Sequence, residues 1–371
     1  MTPIEDKLRA AIRARADEIE PYAPPLLLPP RRRRSFLLAH GGGEKERTPA
    51  QRIWQGWGAP AASAIMVAVV IVASAVIFGG HSASSSAVRS SLGRVTRPPA
   101  AAPPYLGVYP AGHGYGPVAS FAKAAGQRPN IVEYVSQWHE PFPSSYAQTL
   151  HRHRAIMLVQ MDPTYVTAKR IAAGRYDGYL RSYAVSARDF GHAVIISFGQ
   201  EMNAPWYSWG YRHTPPATFV AAWRHIVTLF RAQGADNVTW LWTVSADQAG
   251  TGPVASWWPG AHFVTWVGID GYYSRPSDTF ARVFGHTINQ VRAFTRNPML
   301  LTTAVAAGTG QPAGISNLFQ GMRRYHALGL VWFDQTTRAT GNSHVDWRLE
   351  DSAPARAAFG RALSGLRLVS P

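Results

Sequence analysis

Short apolar segments alternate with amphipathic stretches eight times over residues 105–371, and this rhythm predicts an α/β fold, a (β/α)8 barrel of parallel strands ringed by helices. The length agrees, because a barrel of this kind needs about 250 residues. With 46% hydrophobic and 12% aromatic residues, the 371-residue chain has ample material for a core. The length and the rhythm together predict one barrel domain, and no internal repeat is visible in the sequence.

The predicted strands are rich in β-branched and aromatic residues, as is typical of strands buried on both faces. They are Tyr105–Tyr109, Ile131–Val135, Ala155–Gln160, Ala193–Phe198, Val238–Val244, Val264–Ile269, Met299–Thr303 and Leu330–Phe333. The predicted helices between and after them include Thr218–Gln233, Thr279–Phe294, Ile315–His326 and Pro354–Leu366. The last has its proline where a helix begins.

A charge-free window, residues 53–88, precedes this domain and contains the apolar run Ala59–Gly79. The run is close to the ~20 residues that a helix needs to cross a bilayer. We therefore expect a transmembrane helix over residues 58–80. A buried core helix is the alternative, and the low-complexity sequence on both sides argues against it. Residues 81–104, rich in Ser, Ala and Pro, are expected to form a flexible linker.

Basic residues gather before the apolar run, in Arg31–Arg34 and again between Lys45 and Arg52. The positive-inside rule then makes residues 1–57 a cytoplasmic tail that contacts anionic lipid, and puts residues 105–371 outside the plasma membrane. A cleaved signal peptide is disfavoured because more than fifty residues precede the run. Arg33–Leu38 resembles a twin-arginine signal, but the segment that follows is polar, so we treat this match as accidental.

Charge and cysteine content exclude several classes of function. The net charge of +16 is dispersed along the chain and no nucleic-acid motif accompanies it, so we expect no nucleic-acid partner. Zero cysteines exclude disulfides, thiolate metal sites and a cysteine nucleophile. No His, Asp or Glu spacing demands a metal ion, and we predict neither a metal nor a cofactor.

In a (β/α)8 barrel, functional side chains collect at the C-terminal ends of the strands. The carboxylates that fall there are Asp162, Glu201, Asp247, Asp270 and Asp334. Cleavage of a glycosidic bond needs two carboxylic groups, one as acid and one as nucleophile or base. Glu201 is the strongest candidate for the acid because it follows an apolar strand and is surrounded by residue types that bind sugar hydroxyls and faces. These neighbours are Gln200, Asn203, Trp206, Tyr207 and Trp209.

Residues from about Tyr105 to Leu366 resemble glycoside hydrolase family 26, best known for endo-β-1,4-mannanases. The motif Gln200-Glu201-Met202-Asn203-Ala204, followed by Trp206 and Trp209, is similar to the end of the family's fourth strand. Further similar segments are Ile171–Leu180, Phe219–Phe230, Gly234–Val238, Trp258–Gly260, Val267–Tyr273 and Val331–Asp334.

The resemblance implies roles for particular residues. Glu201 would be the general acid/base, Tyr272 would reach toward the nucleophile, and Trp332 would line the sugar site. Tryptophans near the predicted fifth strand divide between the core and the cleft, and we assign Trp242 to the cleft. Together with the sugar-binding neighbours of Glu201, the candidate substrate-binding set is Gln200, Asn203, Trp206, Trp209, Trp242, Tyr272 and Trp332.

Two positions depart from the family pattern. Thr303 stands where the family's seventh strand carries the nucleophilic Glu, and Gln200 replaces a histidine. A threonine hydroxyl without an evident base is a poor nucleophile at neutral pH. Inversion of configuration, with Asp270 or Asp334 activating a water molecule, is one way in which activity would survive.

Three hypotheses follow. The first is a membrane-anchored glycoside hydrolase that acts on an extracytoplasmic β-linked polysaccharide, such as a mannan or a β-glucan. The second is a carbohydrate-binding pseudoenzyme of the cell envelope that has kept the aromatic cleft and lost turnover. The third is a structural protein of the envelope. The position of a second carboxylate relative to Glu201 separates the first from the second.

Overall fold

The computed structural model describes residues 105–246, 250–338, 344–364, 366 and 368. The predicted cytoplasmic tail, transmembrane helix and linker lie outside these residues, as does Asp247. Within the described part of the chain, no helix has the length and apolarity needed to cross a membrane.

Eight parallel strands close into a barrel in chain order, each paired with its neighbours in sequence and the last with the first. They are β1 (Tyr105–Pro110), β2 (Ile131–Gln137), β3 (Ile156–Asp162), β4 (Val194–Phe198), β5 (Val238–Ser245), β6 (Trp266–Asp270), β7 (Met299–Thr303) and β8 (Gly329–Asp334). A short antiparallel hairpin follows, formed by β9 (Thr336–Arg338) and β10 (His344–Asp346). The eight predicted barrel strands are thereby confirmed, with ends that differ by at most two residues.

The helices lie between the strands and after the last one. They are α1 (Tyr115–Ala125), α2 (Ser144–Arg152), α3 (Ala168–Ala172), α4 (Asp177–Phe190), α5 (Pro216–Ala232), α6 (His286–Arg292), α7 (Gln311–Arg324) and α8 (Ala353–Leu363). The predicted helix over Thr279–Phe294 contains a π-helical turn, Ala281–Gly285, that runs into α6. Between β5 and β6 the chain forms two short 3-10 turns, Val254–Trp257 and Ala261–Phe263.

Side chains alternate between two apolar clusters along each strand, as a period of two requires. On β7, for example, Leu300 belongs to the cluster that fills the barrel together with Tyr105, Ile131 and Trp266. Its neighbours Met299 and Leu301 belong to the larger cluster between the strands and the helices. This alternation determines which strand residues can face the mouth of the barrel.

The barrel wall is unevenly paired around β1. This strand pairs with β8 along its whole length, from Tyr105 opposite Gly329 to Pro110 opposite Asp334. Its pairing with β2 is limited to Gly107 opposite Ile131 and Val108 opposite Val132. The upper ends of β1 and β2 therefore diverge.

Candidate active site

Glu201 lies just beyond β4 in a tight turn with left-handed backbone. Gly199 and Glu201 both have φ of 55°, a region that is sterically costly for a residue with a side chain. At Gly199 a Cβ atom would lie 2.9 Å from the ring of Phe219, so the turn needs glycine. The Glu201 amide donates to the carbonyl of Thr243 on β5 over 2.9 Å, and the residue is only 6% exposed. The turn therefore holds a buried carboxylate at the barrel mouth.

Two tryptophans of the loop after β4 contact this turn. Trp206 donates from Nε1 to Oε2 of Glu201 over 2.6 Å, which favours the ionised carboxylate. Trp209 donates from Nε1 to the carbonyl of Gln200 over 2.9 Å and stacks on Tyr207 at 4.4 Å. The half-buried Trp206 is thus a direct partner of Glu201, whereas the buried Trp209 supports the backbone beside it.

Gln200 and Asn203 flank Glu201 with different surroundings. Asn203 is fully buried, donates from Nδ2 to the carbonyl of Ser245 and accepts from the Ser245 amide, at 2.9 and 2.8 Å. These bonds fasten the loop to β5, which makes Asn203 a positioning residue rather than a sugar ligand. The side-chain oxygen of Gln200 is buried and has no hydrogen-bond partner among the described residues, so Gln200 keeps an acceptor for a ligand.

Asp270, at the end of β6, faces the inside of the barrel together with Trp266 and lies opposite Thr302 of β7. Burial is the main reason why the pKa of Asp270 lies well above its ordinary value, and the charges of Glu201 and Glu133 raise it further. A hydrogen bond from the Thr302 hydroxyl acts in the opposite direction. Asp270 therefore holds a proton more readily than an exposed aspartate does, and it lies close enough to Glu201 for their charges to interact.

Glu133 is a site residue that the sequence analysis did not find. It lies in the middle of β2, shares the inward face with Ile131, and is 6% exposed. Glu133 is not at a strand end, where the predicted candidates lie; one of those, Asp162 at the end of β3, is likewise buried. The signal that could have identified Glu133 is a charged residue at an inward position of an apolar strand, two residues after Ile131.

Thr303, the position assigned to the family nucleophile, lies on the opposite face of β7 from Thr302. It shares its face with Met299 and Leu301, which pack between the strands and the helices. Thr303 is fully buried, and its hydroxyl has no hydrogen-bond partner among the described residues. The β7 side chain that faces the carboxylates is therefore Thr302.

The remaining aromatic candidates are divided between the core and the inward face of the barrel. Trp332 packs edge-on against Phe359 of α8 at 5.2 Å and donates from Nε1 to the carbonyl of Trp347. Trp242 packs edge-on against Trp258 at 5.1 Å. Both are fully buried, which places them in the core and not along the cleft. Tyr272 is half-buried beside Phe333, with ring centroids 5.6 Å apart, and it shares the inward face with Asp270.

Asp334, the other candidate for a water-activating carboxylate, faces away from the barrel interior. It accepts a hydrogen bond from the Leu349 amide over 3.0 Å. Burial raises the pKa of Asp334 to about 8; the nearby Glu350 carboxyl adds to the shift, while the Leu349 amide and Arg348 oppose it. Asp334 thus attaches residues 344–350 to β8 and lies apart from the group formed by Glu201, Asp270 and Glu133.

Asp334→Asn is expected to raise the melting temperature near pH 8, with a gain that shrinks toward pH 4. A carboxyl whose pKa is raised by folding takes up a proton on folding, so its contribution to stability falls as the pH rises from about 4 to about 8. Asparagine keeps the acceptor for Leu349 without this titration. Melting curves at several pH values measure the difference.

Asp346→Asn is the matched control, with the opposite sign. Burial acts to raise the pKa of Asp346, but hydrogen bonds and charge from Arg348 outweigh it and hold the pKa below its ordinary value. The contribution of Asp346 to stability is therefore present near neutral pH and lost in acid, so this variant should melt lower at pH 7. A gain for Asp334→Asn that does not depend on pH would contradict the account.

The described residues contain no group of three His, Asp or Glu side chains arranged to hold a metal ion. What they do contain at the barrel mouth is a set of interacting carboxylates beside Trp206 and Tyr272. Such an arrangement can transfer protons to and from a bound sugar.

Several known proteins are similar to this chain. Residues 173–349 match the model of Glycosyl hydrolase family 26. Endoglucanase H of Acetivibrio thermocellus is 28% identical over 264 residues, which cover 66% of this chain and 29% of that protein. A β-1,3-xylanase of a Vibrio species is 26% identical over 159 residues, which cover 42% of this chain and 30% of that protein. The chain therefore spans less than a third of these curated relatives.

Solved structures share the fold. A family 26 β-mannanase from Bacteroides ovatus superposes with a TM-score of 0.52 at 13% identity, over 72% of this chain and 90% of that one. A variant of the Cellulomonas fimi endo-β-1,4-mannanase gives 0.54 at 14% identity, over 71% of each chain. At 13 and 14% identity, the similarity to these two structures shows a shared barrel fold.

Proposed function

The chain carries a catalytic domain of glycoside hydrolase family 26, and on this premise we propose that it hydrolyses a β-linked polysaccharide with Glu201 as the general acid. The observation that carries the proposal is the pairing of Glu201 with Asp270, two buried carboxyl groups that interact at the mouth of the barrel. The relatives are named for action on glucan, xylan and mannan, which supports a mannan or β-glucan as the substrate class.

Two interacting carboxyl groups hold their protons jointly. Burial and neighbouring charge favour the proton on Asp270, while the indole N–H of Trp206 favours the ionised form of Glu201. The mechanism uses the form of the pair that carries one proton between its two members. This arrangement does not need a third carboxyl group on β7.

The reaction that follows is an inverting hydrolysis. In the reacting form of the pair the proton has passed from Asp270 to Glu201, which leaves Asp270 ionised. Glu201 then delivers this proton to the leaving oxygen as the glycosidic C–O bond breaks. A water molecule adds to the anomeric carbon from the other face and gives its proton to Asp270, which restores the pair. Atoms and protons balance over the cycle, and Thr303 has no part in it. Asp334, attached to Leu349, is not placed for either step.

A second candidate is a carbohydrate-binding protein without turnover. The outward position of Thr303 and the absence of any Asp or Glu from residues 279–333 favour it, since β7 then supplies no nucleophile. Under this hypothesis Trp206, Tyr272 and Gln200 would still bind a sugar chain.

We further propose that the domain works outside the plasma membrane, anchored by a transmembrane helix at residues 58–80. The support is the sequence alone, namely the apolar run and the basic residues before it. In this arrangement, residues 1–57 contact the cytoplasmic lipid surface, and residues 81–104 are a linker that lets the domain extend away from the membrane.

The test incubates the full chain, in detergent, with β-1,4-mannan, β-1,4-glucan and β-1,3-xylan and measures released reducing ends. Hydrolysis of at least one polymer, with proton NMR showing inverted anomeric configuration in the first product, is the expected result. Products of retained configuration would exclude the water-activating role of Asp270. Binding without any release would favour the second candidate.

A further inference from the structure

A cavity of about 140 Å³ lies where the upper ends of β1 and β2 diverge. Side chains that suit a sugar line it: Tyr109, His113, Glu133, Tyr134, Tyr146 and Gln335. We refer to it as the β1–β2 cavity. Its volume is below the ~300–1,000 Å³ typical of sites for drug-sized ligands, so it fits a single ring-sized group.

Aromatic rings form one wall of the β1–β2 cavity. The ring of Tyr134 lies 5.3 Å from that of His113 and 5.8 Å from that of Tyr146. Tyr146 is fixed by the hydrogen bond from its hydroxyl to the carbonyl of Gly114, at 3.2 Å. Ordered aromatic faces of this kind pack against the apolar face of a pyranose.

Polar groups form the rest of the lining. Gln335 donates from Nε2 to the carbonyl of Pro110 over 3.0 Å, which fixes its amide and leaves Oε1 as an acceptor. Glu133 contributes a carboxylate that is nine-tenths buried or more. Hydrogen bonds from sugar hydroxyls to a charged acceptor are stronger than those between neutral groups.

The β1–β2 cavity is connected electrostatically to the proposed reaction centre. Glu133 shares the inward face of the barrel wall with Ile131, as Asp270 does with Trp266, and the charges of Glu133 and Glu201 both raise the pKa of Asp270. A sugar residue against Glu133 and another at Glu201 could therefore belong to the same chain.

We propose that the β1–β2 cavity is a binding subsite for one neutral sugar residue of the polysaccharide, and that Glu133 is its specificity-determining residue. The proposal rests on the glycoside hydrolase function proposed above. The carboxylate of Glu133 accepts hydrogen bonds from the sugar's hydroxyls and repels a uronic acid at the same place. The subsite thereby selects neutral chains over acidic ones.

The experiment measures binding of mannotetraose, cellotetraose and β-1,3-xylotetraose to the full chain by calorimetry. Glu133→Gln should weaken the Kd of the bound tetraose about tenfold, the loss expected when one charge-assisted hydrogen bond is replaced by a neutral one. It should also reduce discrimination against an oligosaccharide that carries a glucuronic acid. Tyr134→Leu, which removes an aromatic face, should weaken binding independently. Melting curves establish that both variants are folded.

Asp189→Asn, an exposed change on α4, is the matched control and should bind like the wild type. An unchanged Kd for Glu133→Gln, or no tetraose binding by the wild type, would overturn the subsite. The proposed function is tested separately. A wild type that binds a tetraose through Glu133 but hydrolyses none of the three polymers would support the subsite and refute the hydrolase activity.

Discussion

Glu201→Gln is expected to lower kcat by about 10²–10⁴-fold, the range that a positioned general acid contributes. Glutamine keeps the size of the side chain and an acceptor for the indole N–H of Trp206, so the turn beyond β4 should be preserved. What disappears is the group that passes a proton to the leaving oxygen. Initial rates on whichever polymer the wild type hydrolyses give the measurement.

Two further observations sharpen this expectation. Leaving groups of low pKa need little protonation, so an aryl glycoside should suffer less from Glu201→Gln than the polymer does. Asp189→Asn, remote from the site, should retain the wild-type rate. Full turnover of the polymer by Glu201→Gln would refute the assignment of Glu201 as the acid. This outcome does not depend on the binding result for Glu133→Gln.

Thr303→Glu is expected to destabilise the fold by about 3–5 kcal/mol and to give no gain in activity over the wild type. Thr303 lies on the helix-facing side of β7 with Met299 and Leu301 and is fully buried. A carboxylate there would lose its hydration within an apolar layer, which is among the most destabilising single changes. Urea denaturation of the two proteins compares their free energies of unfolding.

Thr303→Val is the control for size and shape. The Thr303 hydroxyl has no hydrogen-bond partner among the described residues, so removing it should leave stability unchanged or slightly raised. Thr302→Glu places the new carboxylate on the inward face opposite Asp270 instead. A stable Thr303→Glu variant that gains turnover would show that position 303 faces the sugar after all.

The barrel could be predicted from the sequence because its strands are continuous apolar runs, a signal that barely depends on the side chains around them. Glu201 could be found for a related reason, since its position after β4 follows from strand order. The π-helical turn before α6 could not be found, because a single wider turn leaves the apolar pattern of Thr279–Phe294 almost unchanged.

The facing of individual residues was harder to predict. Trp332 and Trp242 resemble cleft residues by composition, and the alternation along β8 and β5 puts both against the helices. Thr303 was assigned to the nucleophile position from the resemblance to the family, yet its neighbour Thr302 faces inward. Glu133 was missed because its charge acts on Asp270 of β6, which is far from β2 in the sequence.

The unequal pairing of β1 has a consequence for the motions of the native state. A strand joined along its full length on one side and at two positions on the other gives the ring a seam of low local stability. Transient opening should start there, and amide hydrogens of β2 above Val132 that face β1 should exchange with solvent sooner than those that face β3. A sugar bound across that seam would hold β1 and β2 together. Binding in the cavity should therefore slow the exchange of these amide hydrogens.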